Sequence, residues 1–243
     1  MTSRYDRIGV NYAELRKPDP RIAAIVASAL GDARTILNVG AGAGSYEPAG
    51  RRVTALEPSM AMIRQRRIPA AAVVQGRAED LPFADRSFDA AMAILTIHHW
   101  SDQAKGLSEM RRVSRGPIVI LTYDPSFRGF WLADYIPELV ALDEAQMPRM
   151  SDYERWLGPV GISPVAIPHD CTDGFLSAYW RRPAAYLDPR IRAAMSSFWA
   201  LGDVSGALAR LETDLESGAW ARRYGHLHAL HACDCGYRLV VAD

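Results

Sequence analysis

The sequence predicts an α/β fold, a mostly parallel seven-stranded sheet with helices on both faces and a helical cap inserted late in the chain. Three observations predict it. Apolar, partly β-branched runs recur between Arg34 and Tyr123 at the spacing of alternating strands and helices. Runs that are continuously apolar suit strands covered on both faces. The first run, Thr35 to Val39, leads directly into Gly40, Gly42 and Gly44, a glycine turn of the kind that follows the first strand of a nucleotide-binding sheet.

Taken in order, Pro20 to Leu30 reads as a helix entering the first strand, ILNV. The crossover from Ser45 to Arg52 is short and holds Pro48, so barely two turns of helix are expected there. RVTALE is the second strand and ends on Glu57; Pro58-Ser59 then caps a helix from Ser59 to Arg67. AAVVQ and FDAAMAIL follow as strands, Gln103 to Val113 as a helix, and PIVILTY as the fifth strand. After Tyr123-Asp124-Pro125 the texture turns aromatic, proline-punctuated and helical. Ser163 to His169 and Tyr237 to Ala242 read as two late strands pairing antiparallel at the sheet edge, with Asp170 to Trp220 a largely helical cap between them. The expected organisation is one domain: residues 1–30 an N-terminal lid and helix, 31–169 and 236–243 the core, and 170–235 the cap.

A chain of 243 residues is long enough for one large α/β domain. Its 28 basic and 28 acidic residues cancel, which removes the electrostatic case for a nucleic-acid partner. Arg64-Gln65-Arg66-Arg67 and Arg181-Arg182 read as solvated surface, with a substrate-facing role the alternative for the second pair. The N-terminal stretch lacks an apolar h-region, and no apolar run approaches the roughly 18 residues of a membrane span. Three cysteines, all beyond residue 170, make no disulfide framework. A cytoplasmic protein without a membrane partner, monomeric or homodimeric, is expected.

The glycine spacing decides among nucleotide chemistries. A dinucleotide fingerprint would place its third glycine at Ser45, and a P-loop would need a lysine that this turn lacks. Glu57, about 17 residues beyond Gly40, stands at the carboxyl end of the second strand, where a carboxylate can accept from both hydroxyls of a ribose. The G-x-G-x-G pattern from Gly40 to Gly44 resembles that of the class I S-adenosylmethionine-dependent methyltransferases, and Gln75-Gly76-Arg77-Ala78-Glu79-Asp80-Leu81-Pro82-Phe83 with Ser87-Phe88-Asp89 resembles the later motifs of their ubiquinone/menaquinone-type and general small-molecule members.

The resemblance implies a Rossmann-like methyltransferase sheet, S-adenosyl-L-methionine as cofactor and S-adenosyl-L-homocysteine as product. Gly40, Ala41 and Gly42 would wrap the cofactor's amino-acid end, and Glu57 with Pro58 would hold the ribose. Asn38 stands where the family carries an acid, so it would offer an amide oxygen in place of a charge. Ala78 and Glu79 would read the adenine with Leu95 nearby, although relatives often place an acid at the Arg77 position; the alternative for Glu79 and Asp80 is loop acids capping the next turn. Tyr5, Tyr12 and Arg16 resemble an N-terminal lid that closes over the cofactor, the alternative being a surface helix.

His98 and His99 follow the fourth strand at the sheet's carboxyl edge and are the catalytic candidates, as general base; packing and capping are the alternative. Tyr123, Asp124, Trp131, Tyr135 and Trp180 are candidate substrate contacts. The cap's aromatics suggest an apolar or aromatic small-molecule acceptor, or else form the cap's own core. His226, His228, His231, Cys233 and Cys235 cluster tightly, but alternate residues on one strand diverge too little to enclose a tetrahedral ion, so no metal is expected. The function implied is methyl transfer to O, N or activated C of a small molecule by in-line displacement. The alternative is a catalytically inactive cofactor-binding sensor or scaffold.

Overall fold

A computed structural model describes residues 12–66 and 70–243. Its sheet has seven strands: β1 (Thr35–Val39), β2 (Arg52–Glu57), β3 (Ala72–Gln75), β4 (Ala90–Ile94), β5 (Ile118–Tyr123), β6 (Val160–Pro168) and β7 (Ala232–Ala242). They lie in the order β3-β2-β1-β4-β5-β7-β6. The first five are parallel, and β7 runs antiparallel to both β5 and β6. Strand order reverses between β1 and β4, so the carboxyl ends of those two strands flank the crevice where an open α/β sheet binds ligands.

Alternate strand residues feed two cores. Ile36, Ala90, Met92, Val119 and Leu121 face α1 (Pro20–Ala29) and the late helical segments. Leu37, Val39, Ala91, Ala93, Ile118 and Ile120 face α2 (Gln103–Val113) and the helix Met150–Leu157. Burial on both faces explains why these strands read as unbroken apolar runs rather than as alternating ones. α1 starts where Asp19 caps it by accepting from the Arg21 amide, with Pro20 at its first position.

Two helices lie between β5 and β6: α3 (Glu138–Gln146) and α4 (Met150–Leu157). Tyr153 of α4 is fully buried, and its hydroxyl donates to Thr122 Oγ1 on β5 at 2.9 Å. Between β6 and β7 the chain is a series of short helical segments, the longest being α5 (Ser205–Glu216) and α6 (Ala219–Tyr224). Their centre is Trp131, whose ring lies 5.4 Å from Trp220, 5.6 Å from Tyr186 and 6.0 Å from Tyr135. Its Nε1 donates to the Trp180 carbonyl at 2.7 Å. Among the described residues no helix is long and apolar enough to cross a membrane.

Three expectations change. No helix forms from Ser45 to Arg52: Gly44 and Gly50 have φ of 91° and 76°, Tyr46 has φ of 64°, and Pro48 removes a donor. The helix expected from Ser59 to Arg67 is a single turn, Met60–Ile63, capped by Ser59 as anticipated. β7 starts at Ala232 rather than near residue 236, so Cys233 and Cys235 lie within the strand. It accommodates them through an irregularity opposite Pro164–Ala166, with Gly236 at φ 92°.

Tyr153→Phe removes one buried hydrogen bond without opening a cavity. It should lower the unfolding free energy by about 1 kcal/mol in urea titration, and an unchanged midpoint would mean that Thr122 does not depend on this partner.

Candidate active site

The turn after β1 is shaped by what surrounds it. Gly40 has φ of 69°, and a Cβ built there would lie 2.1 Å from Thr96 Oγ1, beyond the end of β4. Only glycine lets these two strand ends approach so closely. The amides of Gly40 and Ala41 both donate to the Leu56 carbonyl, at 2.9 and 3.0 Å, which pins the turn to β2. The Gly42 amide donates to Glu57 Oε2 at 2.8 Å, and the Ser59 amide donates to Oε1 at 2.9 Å. Glu57 is only 5% exposed. Each carboxylate oxygen accepts more than one bond, so this group can hold the loop and still receive a ligand's hydroxyls.

A second carboxylate braces the loop from below. Arg66 Nη2 donates to Glu47 Oε1 and Oε2 at 2.7 and 2.8 Å, and Arg66 Nη1 reaches the Gly42 carbonyl at 3.3 Å. Asn38 donates through Nδ2 to Glu47 Oε1 at 3.1 Å. The missing acid at Asn38 is thus accompanied by a carboxylate from the loop itself, already paired with a guanidinium.

At the other end, the Arg77 to Glu79 turn packs against the start of α2. Glu79 Oε1 accepts from the Ser101 amide and hydroxyl, both at 2.7 Å, and from the Asp102 amide at 3.2 Å. Burial opposes the charge on Glu79, but these bonds hold its carboxyl below the usual range. This is the capping arrangement, and its Oε2 lies 3.5 Å from Arg77 Nε. Trp100 packs here against Gly106, where a Cβ would come within 2.5 Å of the indole.

β4 ends at Ile94; Leu95 follows, held at φ 52°, and the chain continues into the short 3-10 turn Ile97–His99. The His98 and His99 rings are 3.8 Å apart. Burial, with the charge of Arg16 added to it, pushes His98 down to about 4. At neutral pH it is therefore an uncharged imidazole, able to accept a proton.

These elements enclose a cavity of about 480 Å³. Its wall contains Arg16, Asn38, Gly40, Ala41, Gly42, Glu57, Pro58, Ala78, Glu79, Leu95, His98 and His99. Tyr5 lies outside the described residues; Tyr12 begins the turn Tyr12–Leu15, and its side chain is outside them too. The wall does not include the five candidate substrate contacts. Trp131, Tyr135 and Trp180 are 5%, 6% and 1% exposed and form the insertion's own core, because a small helical layer needs large side chains to fill it. Tyr123 stacks edge-on against Tyr237 at 5.5 Å, and Asp124 lies 3.8 Å from Arg238. Sequence reasoning missed Tyr46, Thr96, Trp100 and Gln146, which also bound the cavity. Gln146 arrives from α3, with no local signal to mark it. Among the described residues no group of three His, Cys, Asp or Glu could hold a metal ion.

Comparison with known proteins accords with this geometry. A family model described as a methyltransferase domain matches residues 37–119. A solved structure of a candidate methyltransferase from an antibiotic biosynthesis pathway of Anabaena variabilis ATCC 29413 superposes with a TM-score of 0.87 at 36% identity, over 94% of this chain and 99% of that one. The chain belongs to the class I S-adenosylmethionine-dependent methyltransferases. A demethylmenaquinone methyltransferase of Renibacterium salmoninarum is 35% identical over 159 residues, 54% of this chain and 67% of that protein. A chloroplastic 2-methyl-6-phytyl-1,4-hydroquinone methyltransferase of Oryza sativa subsp. japonica is 30% identical over 95 residues, 39% of this chain but only 26% of its own length.

S-adenosyl-L-methionine is the cofactor of these methyltransferases, and the residues present fit it. The Gly40 to Gly42 backbone carries no side chain larger than the Ala41 methyl, Glu57 is a buried carboxylate with accepting capacity, and Arg16 supplies a cation to the wall.

The lowered proton affinity of His98 has a consequence for stability. Its ordinary value is 6.5 and its folded value about 4, so between those pH values the unfolded chain binds more protons. The His98 contribution is whole above 6.5 and is lost as pH falls toward 4. Asp143, raised by burial to about 7 against the pull of Arg128, opposes this trend over much of the same window. The His98 term is isolated by comparing wild type with His98→Gln. In urea unfolding from pH 7.5 to 4.5, wild type should lose stability more steeply than the variant, by up to about 1.4 kcal/mol per pH unit. Parallel pH profiles would show that His98 titrates normally in the folded protein.

Proposed function

We propose that this methyltransferase acts on a small-molecule acceptor with apolar or aromatic surface, received at the His98–His99 end of the cavity. One observation carries the reading. A single cavity gathers the Ala78–Glu79 turn, the buried Glu57 carboxylate, the glycine turn and two adjacent imidazoles, which follow β3, β2, β1 and β4 in sheet order. The cofactor supplies a methyl group activated on a sulfonium. The protein's part is alignment, exclusion of water and the handling of one proton.

Each residue has a part in this reading. Glu57 accepts from the ribose diol and keeps the Gly42 amide in place. Gly40, Ala41 and Gly42 admit the amino-acid end against bare backbone, and Arg16 faces its carboxylate. Ala78 and Trp100 border the adenine, with Glu79 fixing their turn through Ser101. His98, uncharged at neutral pH, takes the proton from an attacking O–H or N–H, or His99 does so. An acceptor attacking through activated carbon would need the same imidazole less. Residues 170–235 roof the sheet as a cap, with their aromatics stiffening it.

One observation favours an apolar ring-bearing acceptor. Relatives matching this chain are named for a hydroquinone and for demethylmenaquinone. The reading extends to a cytoplasmic monomer or homodimer working without nucleic acid or membrane, in keeping with a net charge of zero.

Calorimetry with S-adenosylmethionine and S-adenosylhomocysteine tests the first half: both should bind, and binding of neither would overturn the reading. Glu57→Ala should weaken either ligand by about 1–3 kcal/mol through lost charged hydrogen bonds; equal affinity would place the ribose elsewhere. For the second half, incubation with a metabolite extract should yield a product heavier by about 14 Da, the net gain of a methyl for a hydrogen. Cofactor binding without any methylated product would favour a sensor.

A further inference from the structure

Asp173 joins three segments around the cavity, and nothing in the glycine motif announces it. Its side chain is completely buried. Oδ1 accepts from Arg16 Nε at 2.7 Å and from the Gly174 amide at 2.7 Å, while Oδ2 accepts from the Tyr46 hydroxyl at 2.8 Å. Arg16 belongs to the segment entering α1, Tyr46 to the glycine loop, and Asp173 to the connection after β6.

The surroundings are built to this contact. A Cβ on Gly174 would sit 2.7 Å from the Leu15 carbonyl oxygen, so the chain just before Arg16 crosses Gly174 at a distance only glycine allows. Tyr46 is held at φ 64°, a backbone conformation costly for a residue with a side chain, and its hydroxyl also receives the Asp19 amide at 3.4 Å. Asp19 in turn accepts from the Thr172 amide at 3.1 Å, next to Asp173 in the chain. Burial and the neighbouring Asp173 charge push the Tyr46 phenol far up, so it remains a hydrogen-bond donor at every working pH.

Among the described residues Arg16 is one of two arginines on the cavity wall, the other being Arg77. Arg77 is 54% exposed and donates to Ser101 at the end bordered by Ala78 and Glu79. Arg16 is 10% exposed and tied through Asp173 to the glycine loop, and its charge is felt by His98. A guanidinium gripped at Nε by a buried carboxylate has its plane fixed, and with it the direction of its Nη donors.

We propose that Asp173 is a positioning residue: with Tyr46 it fixes the guanidinium of Arg16 in the orientation that receives the carboxylate of the cofactor's amino-acid end. The inference rests on reading the cavity as the S-adenosylmethionine site. It makes the connection after β6 part of cofactor recognition, although this segment lies outside the motifs that recognise the nucleoside.

The test compares two ligands by calorimetry on the full chain. S-adenosylhomocysteine carries the carboxylate, whereas 5′-methylthioadenosine has the same nucleoside without the amino-acid end. Asp173→Asn keeps the size of the side chain and removes its charge. It should weaken S-adenosylhomocysteine about tenfold, or 1.4 kcal/mol, and leave 5′-methylthioadenosine within about twofold. Unchanged affinity for S-adenosylhomocysteine, or equal losses for both ligands, would overturn the proposal, the latter by showing a merely structural role. Should Asp173→Asn fail to fold, Tyr46→Phe removes one of the three bonds to Asp173 and carries the same comparison, with a selective loss expected and an unselective loss or no loss contradicting it. Wild type binding neither ligand would instead be a failure of the cofactor reading itself.

Discussion

The glycine loop after β1 has no helix to hold it, and everything at the ligand-binding edge depends on its being fixed by carboxylates. Glu57 holds it from β2 through the Gly42 amide, and Glu47 holds it through Arg66. Asp173 holds its far end through Tyr46. Where the loop leaves the sheet, the absent Cβ of Gly40 lets Thr96 close over it. Flexible glycines are thereby given one conformation, and a backbone able to approach a ligand is also rigid enough to define where that ligand lies.

This arrangement orders the cavity. Its middle is anionic at Glu57 and its ends are cationic at Arg16 and Arg77, while the His98 imidazole at the β4 edge is kept uncharged by burial and by the Arg16 charge. Such a distribution suits a ligand whose hydroxyls lie centrally and whose carboxylate lies at one end. It also means that His98 cannot be treated as an ordinary surface histidine: its lack of charge at neutral pH and its cost to stability in mild acid have the same cause, the lowered proton affinity.

The sheet was legible because continuous apolar runs, glycines and a terminal acid are local features, and all five parallel strands lie where their runs do. So are the cofactor candidates from Asn38 to Glu57, whose positions follow from the ends of β1 and β2. Local patterns failed where tertiary contacts dominate. Ser45 to Arg52 has helical length but follows three positive-φ glycines and serves Glu47 and Tyr46 to partners remote in sequence. Trp131, Tyr135 and Trp180 suggested a binding surface because aromatics suit both cores and ligands, and composition cannot separate the two uses. Gln146 and Asp173 could not be read at all, since each acquires meaning only from residues more than a hundred positions away or from another layer of the fold.

The central claim is that one cavity, organised around the Glu57 carboxylate, holds an adenosyl cofactor with its amino-acid end on the glycine turn. A crystal structure with S-adenosylhomocysteine tests it most directly. The account predicts the ribose hydroxyls within hydrogen-bond distance of Glu57, the adenine beside Ala78 and Trp100, and the carboxylate at Arg16. Ligand bound elsewhere, or bound with its ribose away from Glu57, would contradict it.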